Sequence, residues 1–101
     1  MARVEITERA NADIDAFFDR LAVDAGVRAA RNFVSRIEEA IDRLAGFPAI
    51  GAARPRLGKT ARRVLVPPYV LIYDWLPAED LVVVVRVLHE RQRITRKAVR
   101  G

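Results

Sequence analysis

Apolar positions in the second half of the chain gather into three short runs, at 62–67, 69–76 and 81–88. Pro67-Pro68 and Pro77-Ala78-Glu79-Asp80 separate them. Val, Ile, Leu, Tyr and Trp fill the runs, and such residues suit a pleated surface. Proline donates no ladder hydrogen bond and belongs in the connections. The pattern therefore predicts three antiparallel strands. Along the last of them, strict alternation sets Leu81, Val83, Val85 and Val87 on one face, expected to be the core. Val82, Val84, Arg86 and Leu88 fall on the other, which is too apolar for an ordinary wet face and calls for a partner. Val4 and Ile6 alternate with Arg3 and Glu5 and predict a short first strand at 3–7.

Between the first strand and the last three, the period changes from two to about 3.6. Ala10, Ile14, Phe17, Phe18 and Leu21 form one stripe of a helix over 8–24, with Thr7 in place to cap it. Ala30, Phe33, Val34, Ile37, Ile41 and Leu44 form the stripe of a second helix over 27–45, ended by Gly46 and Pro48. With only Gly26 at the junction, the two helices become antiparallel neighbours. Residues 46–61 carry three Gly and two Pro and read as an irregular connection, pinned by Phe47, Ile50 and Leu57. Residues after 89 offer little to bury and are expected to fray or to dock on the sheet edge. The order β-α-α-β-β-β gives a single α+β domain over 1–101, a helical hairpin packed on a twisted, mainly antiparallel sheet.

Composition narrows the function classes. With 51% hydrophobic and 31% charged residues, the chain is that of a folded domain. No cysteine is present, which excludes disulfides, a thiolate nucleophile and cysteine-based zinc sites. Neither a signal peptide nor an apolar run of bilayer length occurs, so the expectation is a soluble cytoplasmic protein with no membrane role. The net charge of +5 is uneven: residues 1–47 sum to −2 and residues 48–101 to +7. That asymmetry favours an acidic or nucleic-acid partner.

Candidate chemistry is sparse. Arg54, Arg56, Lys59, Arg62 and Arg63 form a basic stretch that would contact phosphates or an acidic protein, or serve as a solvated loop. His89 is the only histidine; a general base needs a positioned proton to take, and no patterned hydroxyl accompanies it. Asp13, Asp15 and Asp19 read as the wet side of a helix, and Asp74, Glu79 and Asp80 as turn residues. Tyr69, Tyr73 and Trp75 share a strand face as core, interface or base-stacking groups. No phosphate loop, dinucleotide fingerprint or metal motif is found, and no cofactor or metal is expected. Residue types and spacing alone stop at a basic α+β binding protein or nuclease.

The words ITERANADIDAFFDRL, ARNFVSRIEEAIDRLAGFPAIG, RRVLVPPYVLIYDW and VVVVRVLHERQ, in that order over residues 3–93, resemble the ParE/RelE superfamily of toxins from bacterial type II toxin–antitoxin systems. The resemblance implies a small antitoxin as partner. RelE-like members cleave mRNA on the ribosome, whereas ParE-like members typically poison DNA gyrase. Where RelE-like proteins carry a catalytic arginine after the first tyrosine of the middle strand, this chain has Val70, and residues 90–101 contain no tyrosine. The resemblance thus implies the ParE-like branch: a gyrase inhibitor with no catalytic residues, touching DNA only through gyrase or antitoxin. Arg62, Arg63, Arg86, Arg91 and Arg93 are the expected target contacts. Tyr69, Tyr73, Trp75, Val82, Val84 and Arg86 are the expected antitoxin contacts. The alternatives are a ribosome-dependent endoribonuclease using Lys59, Arg62, Arg63, His89 and Arg91, and a non-toxic antitoxin-binding protein on the same fold.

Overall fold

The computed structural model describes residues 1–101. Strand β1 (Arg3–Ile6) leads into helices α1 (Glu8–Ala25) and α2 (Val27–Gly46). Then follow β2 (Ala52–Ala53), β3 (Ala61–Val66), β4 (Tyr69–Leu76), β5 (Leu81–His89) and a last short helix α3 (Arg96–Arg100). The sheet order is β1-β5-β4-β3-β2, with β1 parallel to β5 and every other pair antiparallel. The expected α+β hairpin-on-sheet architecture is present. Two elements were not anticipated: the two-residue β2 and the terminal α3. No helix is long and apolar enough to cross a membrane.

Thr7 links local structure to packing. Its hydroxyl accepts the Ala10 N–H at 3.1 Å, capping α1, and donates to the Val85 carbonyl at 3.0 Å. Caps of this kind contribute about 1 kcal/mol. Gly26 alone joins the two helices, at φ +96°, a conformation that a side chain disfavours. The hairpin buries Ala10, Phe33, Ile37, Ala40 and Leu44 against Val66, Tyr69, Leu71, Tyr73, Val82, Val84 and Val87.

The expected face assignment of β5 is reversed before the bulge, at Val82–Val85, and holds after it, at Val87 and Leu88. Val82 and Val84 are fully buried beneath the helices, and Val83 and Val85 point the other way. The pairing shifts between Ile72↔Arg86 and Tyr73↔Val84, which leaves Val85 as an extra residue. Such a bulge re-aims the residues after it, so Val87 joins Val82 and Val84 on the hairpin side. Strict alternation could not find it.

The second sheet face is also covered by the chain itself. Leu57, Ala61, Val70, Ile72, Val85, Leu88 and Val99 form a separate apolar cluster, with Val83 and Ile94 against it. The cover comes from the turn at Pro55–Leu57 and from the C-terminal segment, which lies on the face and not at the edge. Of the three expected pins of the 46–61 connection, only Leu57 is buried; Phe47 and Ile50 are exposed. Tyr73 holds that connection instead. Its hydroxyl donates to the Pro48 carbonyl at 2.7 Å and accepts the Gly51 N–H at 2.9 Å. A Cβ at Gly51 would stand 2.7 Å from that phenol and from the Arg63 carbonyl, so only glycine allows the approach.

Two ion pairs fasten the layers. Asp13 of α1 takes Arg86 through both oxygens, at 2.7 and 2.9 Å, and also accepts the Val87 N–H at 2.9 Å. β1 has ended by then, so Asp13 caps a strand edge that lost its neighbour. Asp74 accepts Arg100 bidentately at 2.8 Å and the Thr60 hydroxyl at 3.0 Å. Arg86 also donates to the Ala98 carbonyl, and Arg100 to the Leu57 carbonyl, which closes α3 onto the sheet.

Asp13→Ala leaves the Arg86 guanidinium, 14% exposed, without its carboxylate and the Val87 amide without its acceptor. It is expected to cost about 2–4 kcal/mol in urea unfolding, whereas Asp15→Ala, on the wet side, falls within about 0.5 kcal/mol. Hydrogen bonds from Arg100 hold the Asp74 carboxyl below the usual value of 3.8, against burial. A carboxylate with a depressed folded pKa stabilises fully above its unfolded pKa and ceases to do so as pH falls through the folded one. Acid titration of stability should therefore lose a component below about pH 4, and Asp74→Asn should remove that component. An unchanged acid limb in Asp74→Asn would contradict the pairing.

Candidate functional site

A groove of about 660 Å³ lies between α1 and the end of β5. Phe17 and Leu21 of α1 and Tyr69 of β4 supply its apolar part. Arg20, Asp24, His89, Arg91 and Gln92 supply the polar part. The Tyr69 ring meets Phe17 edge-on at 4.9 Å and is tilted against Phe33 at 4.5 Å. On its other side it meets His89 edge-on at 5.6 Å. Burial raises the Tyr69 phenol pKa against the pull of Arg36, so the group stays neutral at physiological pH.

His89 belongs to a turn that closes on itself. Its Nδ1 accepts the Arg91 N–H at 3.1 Å, and the Gln92 side chain accepts the His89 N–H at 2.7 Å. The imidazole is positioned by backbone and lacks a carboxylate to orient it, the arrangement a general base ordinarily has.

The expected nuclease set does not converge. Lys59 is exposed in the turn before β3, and Arg62 donates to the Ala49 and Gly51 carbonyls at 3.1 and 2.7 Å. Arg62 pairs with Tyr73 and His89 with Tyr69, four residues apart on β4, or roughly 13 Å along the strand. Two strand spacings add roughly 10 Å across the sheet. Arg63 pairs with Ile72 and points to the opposite face from Arg62. No three His, Asp or Glu side chains are grouped to hold a metal ion.

The expected contact sets are likewise redistributed. Arg86 is spent on Asp13 and the Ala98 carbonyl, so it offers no charge to a target. Arg62 and Arg63 are half-buried, while Arg91 and Arg93 are exposed. Tyr73, Val82 and Val84 have no exposed surface and Tyr69 little, because they form the core under the hairpin; Trp75 is half-buried. An antitoxin cannot reach Tyr73, Val82 or Val84 while the hairpin is in place. Sequence reasoning passed over Asp13, although a signal existed. It stands three residues after Ala10 and four before Phe17, on the apolar stripe itself.

Comparison with known proteins agrees with this geometry. The family described as the ParE toxin of the type II toxin–antitoxin system parDE matches residues 4–94. Toxin ParE3 of Caulobacter vibrioides is 34% identical over 94 residues, covering 93% of this chain and 92% of its own. Toxin ParE1 of Mycobacterium tuberculosis is 33% identical over 82 residues, covering 81% of this chain and 79% of its own. A solved structure of the chromosomal ParDE system of P. aeruginosa superposes with a TM-score of 0.74 at 25% identity. It covers 88% of this chain and 96% of that one. A β-α-α-β-β-β core, matched in sequence from residue 4 to residue 94 and shared with relatives above 30% identity over most of the chain, places this chain in the ParE toxin family of type II toxin–antitoxin systems.

Proposed function

We propose that this chain arrests growth in the cytoplasm by binding DNA gyrase, without cutting RNA, and that a cognate antitoxin silences it. The observation that carries the reading is the scatter of the basic and imidazole groups that a nuclease would have to bring together. Arg62 is bonded to loop carbonyls, His89 and Arg91 lie at the far end of β4, and Arg86 is neutralised inside the fold. Val70, at the position of the RelE-like catalytic arginine, is buried beneath the C-terminal cover. An apolar group there does nothing for charge developing on a phosphate oxygen, the largest service such a site supplies. What remains is a rigid surface that acts by adhesion.

The antitoxin contact is assigned to one groove and one sheet edge. One is the groove with Phe17, Leu21 and Tyr69. The other is the outer edge of β3: β2 pairs only with Arg62 and Arg63, which leaves Val64–Val66 without a neighbouring strand. Leu65 is 56% exposed there on the face turned away from the helices, and Arg36, Glu39 and Arg43 of α2 lie beside the edge on the helical side. An extended acidic segment with alternate apolar residues would suit that edge.

Supercoiling by purified gyrase should fall on addition of the toxin, and mRNA on programmed ribosomes should stay intact. His89→Ala should keep full growth arrest, whereas loss of a general base would lower activity about 10²–10⁴-fold. Message cleaved at the ribosomal A site, with gyrase unaffected, would reverse the reading. In hydrogen exchange of the toxin–antitoxin complex, new protection is expected in residues 16–24 and 64–66. Protection absent from both segments would reject the assigned contact.

A further inference from the structure

The two layers that sandwich the sheet differ in charge. Helices α1 and α2 carry six arginines against eight carboxylates. The layer on the opposite face is built from residues 52–60 and 90–101, and it contains eight Lys or Arg against Glu90 alone. Arg100 is consumed by Asp74. Arg54, Arg56 and Lys59 project from the turn beneath the sheet, and Arg93, Arg96 and Lys97 from the C-terminal segment; none of the six is paired with a carboxylate. The two segments are one surface, because Val99 is buried beside Leu57 and Arg100 donates to the Leu57 carbonyl at 2.8 Å. Cations on a fastened platform do not have to be ordered on binding, which favours a regular polyanion.

From this face we infer direct, sequence-independent binding of duplex DNA through its phosphates, by Arg54, Arg56, Lys59, Arg93, Arg96 and Lys97. Two features select that partner. The exposed large apolar residues of the chain are Met1, Ile6, Val23, Val27, Phe47, Ile50 and Leu65, and none lies in either segment. A protein partner or a membrane surface would need apolar anchors at the centre of the patch. Neither segment contains an aromatic residue, so the face has no platform on which unpaired bases could stack. Phosphate contact is what remains, and it fixes position without reading sequence. The inference goes beyond the gyrase reading and does not depend on it: a toxin that binds DNA while sparing gyrase, or the reverse, is a distinguishable result.

The test is fluorescence anisotropy of a labelled duplex of about 20 base pairs with purified toxin, from about 50 to about 200 mM KCl. Affinity should fall steeply with salt, and the mixed-sequence and A·T-rich duplexes should bind alike. The double variants Arg54→Ala/Arg56→Ala and Arg96→Ala/Lys97→Ala should each flatten the log–log salt slope by about 2 and weaken binding at least about tenfold. Arg28→Ala/Arg31→Ala, on α2, should leave both unchanged. Urea midpoints check that each variant is folded, and the two pairs lie on separate elements, so one suffices if the other is unstable. The inference is overturned by absent binding, by affinity in the folded basic-face variants equal to that of the unsubstituted toxin, or by tighter binding of single-stranded DNA, duplex RNA or poly-glutamate than of duplex DNA.

Discussion

A sheet that is apolar on both faces has to be covered on both, and most of this molecule follows from that constraint. β4 and β5 occupy the interior of the sheet and have almost no residue that water would welcome. Two long amphipathic helices solve one side. The other is covered by a single turn around Leu57 and by the residues that end in α3, pieces too short to be stable alone. Bidentate ion pairs hold what propensity cannot: Asp74 clamps the C-terminal segment, and Asp13 ties α1 to the bulge in β5. Partly buried pairs of this kind act mainly by specifying one arrangement, because their attraction is offset by desolvation.

The bulge at Val85 joins that architecture to the distribution of charge. By adding one residue it sends Arg86 towards Asp13 and the α3 carbonyl, where an unbroken strand would have placed an apolar side chain. An arginine that reads as a surface contact thereby becomes an internal strut. The two segments of the cover contain eight cations and no acid of their own except Glu90. A protein with a net charge of only +5 therefore has one strongly positive side and one mildly negative side. Such a dipolar distribution orients the molecule as it approaches an anionic partner.

The order of the elements was legible because periodicity in α1, α2 and the three long strands is strong and uninterrupted. Thr7, Gly26 and the prolines mark the boundaries within a residue or two. Which face of β5 lay under the helices was not legible. Valines fill both faces, and the one residue that breaks alternation is a valine among valines. α3 escaped notice because five residues carry no usable period, although Thr95 caps it through the Ala98 N–H as Thr7 caps α1 through Ala10. The candidate site fared worse for a related reason. By type an arginine reads as a surface contact, and Arg62, Arg86 and Arg100 instead satisfy carbonyls and carboxylates within the fold, which only tertiary placement reveals.

The parallel pairing of β1 with β5 has a consequence for how the chain assembles. It joins positions 78 apart in sequence, and the Thr7 hydroxyl reaches equally far to Val85. Closing so long a loop costs entropy that the local hairpins of β3, β4 and β5 do not face. Contacts of that span slow the approach to the native state. The meander and the helical hairpin are thus units of short reach, and the seam between chain start and last strand carries a loop-closure cost that they do not.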